Sequence, residues 1–314
     1  RVGYLVAVLI MLTSLVMTRS LYHLIIFVPS LIIICVIAGK QWKWLLLTGL
    51  CCFLIPFGWY AKNYIQVGQF GSSTWLGIGL WKVATASYSP DELEVLAAQG
   101  VIDPVVAELK AYTRPASYIA YGYDQQADNP EWARNDFNNI NIPAISKLYL
   151  ENSLRLTRHN PVRYVRSLGV AFFRFSTPAS RFDHLDINRE KLGLYEVIYA
   201  DLFQGHYLYH LFGKPGGVLV MILLPYTLLI YGMAVVKRCG FSPDRWVRMI
   251  RLDAPVLFAA MLIAYTLIVG CMLEHGENWR FKFIVEAPIW AFIATILYRR
   301  YRRPPLLPLI TSST

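Results

Sequence analysis

The sequence predicts an α-helical, multi-pass membrane protein. Six transmembrane helices are expected, with a large, mainly helical extracytoplasmic domain between the third and fourth. Three observations predict this. Of the 314 residues, 56% are hydrophobic and only 16% are charged, against about 25% charged in an ordinary soluble domain. The apolar residues are gathered into six stretches of near-membrane length. The Lys and Arg residues concentrate in the connections on one side of those stretches.

The stretches run from Val2 to Met17, Leu21 to Gly39, Trp44 to Ala61, Pro215 to Val236, Ala254 to Leu273 and Phe281 to Tyr298. A hydrocarbon core needs about 20 apolar helical residues, because a helix rises about 1.5 Å per residue. The predicted organisation is therefore three helices in 1–61, an extracytoplasmic domain in 62–212, three helices in 213–303, and a cytoplasmic tail in 304–314. The chain begins with Arg1 rather than Met, and no cleavable signal pattern accounts for that start, so an upstream portion is expected.

The formal net charge of +10 is informative through its distribution. Lys40 and Lys43 follow the second stretch. Lys237, Arg238, Arg245, Arg248 and Arg251 lie between the fourth and fifth, and Arg299, Arg300, Arg302 and Arg303 close the sixth. Alternating crossings put all of them on one side, which the positive-inside rule makes cytoplasmic. No folded basic face with groove-reading or aromatic elements is evident, which excludes nucleic acid as a partner. None of the five cysteines falls in 62–212, so that domain is no disulfide scaffold. The absence of an Asn-x-Ser/Thr acceptor there fits a bacterial inner, or plasma, membrane.

Within 62–212 the punctuation is helical. Ser89-Pro90-Asp91-Glu92 reads as a capping box with Pro at the first helical position and Gly100 as the stop. Asp103-Pro104, Asn129-Pro130 and Asn160-Pro161 are similar starts, and Pro143 to Arg158 reads as a helix. The helix after Asn160 carries Val162, Val165, Leu168, Gly169 and Phe172 beside a stripe of Arg163, Arg166 and Arg174. Such a helix suits either a headgroup boundary or its own domain's surface. Between Lys62 and Lys82, four glycines interrupt Phe70, Trp75, Leu76 and Trp81. This is either a glycine-rich turn or a surface for a sugar or lipid face.

Three groups could carry chemistry. Glu274-His275-Gly276-Glu277-Asn278-Trp279-Arg280 packs acid, base and anion-clamping residues into one short external connection. Glu286 is ionisable inside a membrane stretch, which marks either a site or an i,i+4 pair with Lys282. His206 and His210 share helical spacing but lack a third metal ligand and sit among belt-like aromatics. No metal site is expected, nothing supports a divalent metal, and no cofactor fingerprint is present.

Several segments together resemble a known family. They are Pro56-Phe57-Gly58-Trp59-Tyr60-Ala61-Lys62-Asn63-Tyr64, then Gly68-Gln69-Phe70 and Ser72-Ser73-Thr74-Trp75-Leu76-Gly77. His159-Asn160-Pro161-Val162-Arg163-Tyr164 and Glu277-Asn278-Trp279-Arg280-Phe281 with Glu286-Ala287-Pro288 agree in order, as does Thr18-Arg19. The set resembles the later half of the GT-C glycosyltransferases related to protein O-mannosyltransferases and the lipid A aminoarabinose transferase. That resemblance implies transfer of a sugar from a polyprenyl-phosphate carrier to a lipid, protein or glycan acceptor outside the cytoplasm. It implies a catalytic carboxylate in the first external loop, expected upstream of residue 1, so this chain alone is expected not to catalyse transfer. It also implies Arg280 and Lys62 at the lipid phosphate, with Glu274, His275 and Glu277 orienting them or the sugar, and Trp75 and Trp81 lining the sugar site. The alternatives are a non-catalytic lipid-binding or scaffold protein and, with three stretches on either side of the domain, an inverted-repeat transporter.

Overall fold

A computed structural model describes residues 2–18, 21–109, 113–123, 140–178, 190–205, 217–273, 275 and 278–302. Among these residues there is no β-strand. The helices are α1 (Val2–Thr18), α2 (Leu24–Ala38), α3 (Trp42–Val67), α4 (Leu76–Thr85), α5 (Pro90–Ala98), α6 (Pro104–Glu108) and α7 (Pro115–Ala120). They continue as α8 (Ile142–His159), α9 (Pro161–Ser176), α10 (Val218–Cys239), α11 (Pro243–Leu273) and α12 (Asn278–Tyr301). A π-helix, Glu196–Phe203, follows a single α-turn, Gly193–Tyr195. The chain forms two compact units. The first holds Arg1–Trp59, Phe175–Ile268 and Trp279–Thr314, and the second holds Tyr60–Arg174 and Val269–Asn278.

Among the described residues, the stretches long and apolar enough to cross a membrane are Leu24–Val67, Val218–Cys239, Pro243–Leu273 and Arg280–Tyr301, and the first unit holds all of them except Tyr60–Val67 and Val269–Leu273, together with the shorter α1. Leu24–Val67 is not a single rod. Gly39, at φ +60°, takes a conformation that a side chain disfavours, and a 3-10 turn at Gly39–Gln41 reverses the chain. Phe27 meets Phe53 at 5.7 Å, Leu31 fills the space left by Gly49, and the Cys35 thiol reaches the Trp42 carbonyl. Partner numbers fall on α3 as they rise on α2, so the two helices are antiparallel.

α11 is two helices joined at a kink. Asp253 sits at φ −125°, ψ 22°, and Pro255 follows. Proline has no N–H to return to the preceding turn, so the ladder breaks there. The part beyond the kink matches the Ala254–Leu273 stretch read from hydropathy. The kink also frees Asp253 to turn inward. Its buried carboxylate accepts from the Tyr231 hydroxyl at 3.0 Å and from both Arg299 terminal nitrogens at 3.0 and 3.1 Å. Arg251 donates to the Val36 carbonyl at 3.0 Å. The ends of α2, α10 and α12 and the kink of α11 therefore meet at one end of the unit, together with its basic residues. Farther along α11, Tyr265 stacks on Tyr22, donates to the Leu21 carbonyl, and accepts from the His23 N–H, fixing the turn between α1 and α2.

The second unit has its own core, in which Ile78, Trp81, Leu96, Val106, Tyr118 and Tyr149 are buried. Its organising contact is the crossing of α4 and α8. A Cβ at Gly77 would collide with the Ser146 carbonyl, and the Gly77 N–H donates to the Ser146 hydroxyl at 3.0 Å. The capping box forms as expected: the Ser89 hydroxyl accepts from the Glu92 N–H and the Glu92 carboxylate accepts from the Ser89 N–H. Asp103, Asn141 and Asn160 cap α6, α8 and α9 in the same way. The Asn129-Pro130 start lies outside the described residues.

The second unit comprises Tyr60–Arg174 and Val269–Asn278, and the described residues 175–178 and 190–205 fall in the first.

Asp253 gives a direct test of the basic end. Asp253→Asn leaves Arg299, whose side chain is 22% exposed, without its counter-charge, so the cost falls toward the low end of the about 3–5 kcal/mol of a fully buried pair. Tyr231→Phe removes a single hydrogen bond and should cost about 1 kcal/mol. Denaturant unfolding in micelles should separate the two variants in that order.

Candidate functional site

The chemistry of the second unit gathers around His275, in the connection between α11 and α12. Two bonds hold that connection: the Asn278 amide donates to the Gly270 carbonyl at 2.9 Å, and the Tyr164 hydroxyl of α9 donates to the Met272 carbonyl at 3.3 Å. The His275 imidazole is partly buried and lies within electrostatic reach of Arg174 on α9 and Lys82 on α4. Burial first, then Arg174 and Lys82, push its pKa down to about 4. At neutral pH the ring is uncharged, so it can offer one N–H and one lone pair beside two fixed cations. Two cations near a neutral imidazole give this part of the second unit a positive potential.

Folding places each cation by a different route. Trp81 points into the core, where its ring lies 5.8 Å from Tyr149. Lys82, about 100° farther round α4, is thereby turned outward. The three arginines of α9 separate. Arg163 pairs with Glu92 at 2.6 Å and lies 4.2 Å over the Tyr88 ring. Arg166 is exposed, and Arg174 acts on His275. The Arg163–Glu92 pair lines a depression of about 340 Å³ with Tyr88, Asp91 and His159, but these two charges already satisfy each other.

The glycine-rich segment before α4 is a turn. The Asn63 amide donates to the Gly71 carbonyl at 2.7 Å, the Gln69 amide to the Pro143 carbonyl at 3.1 Å, and Phe70 packs edge-on to Tyr60. Trp75, at the start of α4, stays exposed, as does Lys62. Of the residues expected to line a sugar, Trp75 is therefore accessible, whereas the Trp81 ring is covered by protein. Lys62, Trp75, Trp81 and His275 all belong to the second unit. Arg280 belongs to the first, where it is exposed with its guanidinium 5.8 Å from the Phe281 ring. Glu274, Glu277, His206 and His210 lie outside the described residues. Lys82 and Arg174 were not singled out in the sequence as companions of His275, because only the helix rotations reveal it.

Glu286 pairs with Lys282 inside the first unit. The Lys282 ammonium, fully buried, lies 3.0 Å from the Glu286 carboxylate, 2.8 Å from the Gln204 amide oxygen and 3.4 Å from the Ser176 carbonyl. Gln204 in turn donates to Glu286 at 2.7 Å. Three donors meet three acceptors, so the group works as a structural tie rather than an open site. Gly217 completes it: its N–H donates to Ser176 at 2.9 Å, and a Cβ there would lie 2.6 Å from the same carbonyl.

Among the described residues, no three His, Cys, Asp or Glu side chains are grouped to hold a metal ion. Neither a protein-family model, a curated protein nor a solved structure matches the chain. Function must therefore be argued from the chemistry of the site.

His275 sets a pH dependence of stability. Its folded pKa is lowered from 6.5 to about 4, so the unfolded chain binds a proton there first. The associated stability is complete above about pH 6.5 and is lost as pH falls toward 4. Glu92, held low first by the Ser89 N–H and then by Arg163, adds its own loss only at the acid end. Thermal unfolding at pH 7.5, 6 and 4.5 should show a shallower decline for His275→Gln than for the unaltered protein, most of the difference falling between pH 6 and 4.5.

Proposed function

We propose that this protein is a membrane glycosyltransferase of the GT-C type, moving a sugar from a polyprenyl-phosphate donor to an acceptor on the extracytoplasmic side. The observation that carries the reading is the meeting of Lys82, Arg174 and His275 in one unit. Each of the three lies outside, but in the same element as or next to, a segment that resembles the family: Ser72–Gly77 runs into α4, His159–Tyr164 opens α9, and Glu277–Phe281 follows His275. In the proposed reaction an acceptor oxygen bonds to the anomeric carbon. The bond from that carbon to the phosphate oxygen breaks, its electrons stay with the phosphate, and the acceptor proton passes to a base. Lys82 and Arg174 stabilise the departing phosphate through charge-assisted hydrogen bonds that strengthen as its charge develops. Lys62 is a further phosphate contact in the same unit, and Trp75 offers its exposed ring to the sugar face; the roles of Arg280, Glu274 and Glu277 rest on the sequence resemblance alone.

The same proposal includes six crossings: α1, α2, α3, α10, the part of α11 beyond Asp253, and α12. The antiparallel pairing of α2 with α3 supports counting Leu24–Val67 as two. The end that collects Arg251, Arg299 and their basic neighbours is assigned to the cytoplasm. A cysteine replacing the fully exposed Phe241 should then be labelled from the cytoplasmic side, and one at Glu94 from the opposite side, by an impermeant maleimide. Labelling of both from one side would sink this topology.

The donor site is tested by binding. Vesicle-reconstituted protein should bind a polyprenyl phosphate saturably, and Arg174→Gln or Lys82→Gln should each weaken binding about tenfold or more, as loss of a charge-assisted bond worth about 1.5–3 kcal/mol implies. Unchanged affinity in both variants would refute the site. Binding without any sugar transfer by the full-length protein would favour the non-catalytic reading.

A further inference from the structure

The segment Gly193–Phe203 carries two carboxylates, Glu196 and Asp201, both half-buried and each engaged within the protein, and its remaining surface is apolar and uncovered. Leu194 is 76% exposed, Val197 59%, Ile198 54%, Leu202 68% and Phe203 51%. In water, so dense a patch on so short a segment would be an open docking face. Its position relative to α12 points instead to hydrocarbon.

α12 provides a depth scale. From Arg280 to Arg299 it rises about 28 Å, close to the roughly 30 Å of a hydrocarbon core. On that scale Glu286 lies about 9 Å and Trp290 about 15 Å below Arg280. The Phe203 ring lies 4.6 Å from Trp290, and the next residue, Gln204, donates to Glu286. The end of the segment is therefore level with the interior of the membrane, not with its surface. The rings of Tyr195, Tyr199 and Phe203 form a continuous series, at 4.9 and 6.1 Å, leading to Trp290.

The segment does not cross. Eleven residues are too few, and the chain before and after it returns to the same place. Ser176, which precedes it, and Gly217, which follows it, are hydrogen-bonded to each other beside Lys282. The backbone at its end is also satisfied internally, as hydrocarbon requires. The Gln204 N–H donates to the Tyr199 carbonyl, and the Gln204 carbonyl accepts from the Leu219 N–H.

We infer that Gly193–Phe203 is a re-entrant element. It lies within the lipid leaflet at the Lys282 end of α12, and acyl chains cover Leu194, Val197, Ile198 and Leu202. Gln204, clamped by Lys282 and Glu286, is the anchor that holds it there. This follows from α12 as a membrane-crossing helix and does not depend on the glycosyltransferase reading.

The test is collisional accessibility of spin labels. Single cysteines at Val197, Ile198 and Leu202 would be placed in the full chain, with Cys35, Cys51, Cys52, Cys239 and Cys271 replaced by serine. The protein would be reconstituted into phosphatidylethanolamine–phosphatidylglycerol vesicles. Labels at Glu94 and at Leu229, the exposed middle of α10, mark water and lipid. All three test positions should follow Leu229, favouring oxygen over a water-soluble nickel chelate. Nickel collisions at the Glu94 level would overturn the inference, and so would protection from both reagents, which would mean protein cover. A photoreactive benzoylphenylalanine at Leu202, in the chain with its native cysteines, gives an independent reading. Cross-linking to phospholipid agrees with the inference, and cross-linking to protein alone refutes it.

Discussion

An ammonium group that cannot reach water must find every partner inside the protein. Lys282 is in that position, and much of the first unit is arranged around the consequence. A charge in such a place is tolerated only when it is neutralised and its hydrogen-bonding capacity is filled. Glu286 neutralises it from one turn along the same helix, which is the cheapest source of a counter-charge. The remaining two acceptors come from far away in sequence, at Ser176 and Gln204. The ends of three segments are thereby fixed to α12 at one level. Gly217 is part of the same solution, since only a residue without a side chain fits beside the Ser176 carbonyl.

α12 solves the same problem again near its other end, with the partners reversed. There the buried group is the carboxylate of Asp253, and the cation, Arg299, comes from α12. The carboxylate reaches inward because Pro255 breaks the α11 ladder. The kink and the ion pair are thus one device. Two polar ties separated by roughly the thickness of a bilayer hold α10, α11 and α12 in register without polar groups facing lipid. A helix with ties at both ends has little freedom to slide, which gives the segment at Gln204 a fixed depth.

In the second unit the governing constraint is steric. The contact of Gly77 with Ser146 brings α4 and α8 so close that only one rotation of α4 is possible. Trp81 then faces Tyr149 and Lys82 faces outward. α9 adds Arg174, and the α11–α12 connection adds His275. The grouping of Lys82 with Arg174 and His275 therefore depends on how tightly two helices cross. Its imidazole stays neutral because the surroundings that bury it also bring two cations.

The helical, apolar character of the long stretches, the Ala254 start beyond the kink and the caps at Ser89, Asp103 and Asn160 were legible in the sequence. These depend on local composition and on contacts within a turn or two, which linear order preserves. The i,i+4 spacing of Lys282 and Glu286 was legible as a possibility. The tertiary structure alone decided that Trp81 is buried and Trp75 exposed, and that Gln204 and Ser176 complete the Lys282 tie. It alone brought Lys82 and Arg174 to His275. Each of these outcomes depends on the rotation and closest approach of helices distant in sequence. That geometry is set by which side chains collide and which buried charges must be matched, and neither is encoded in any local window of the chain.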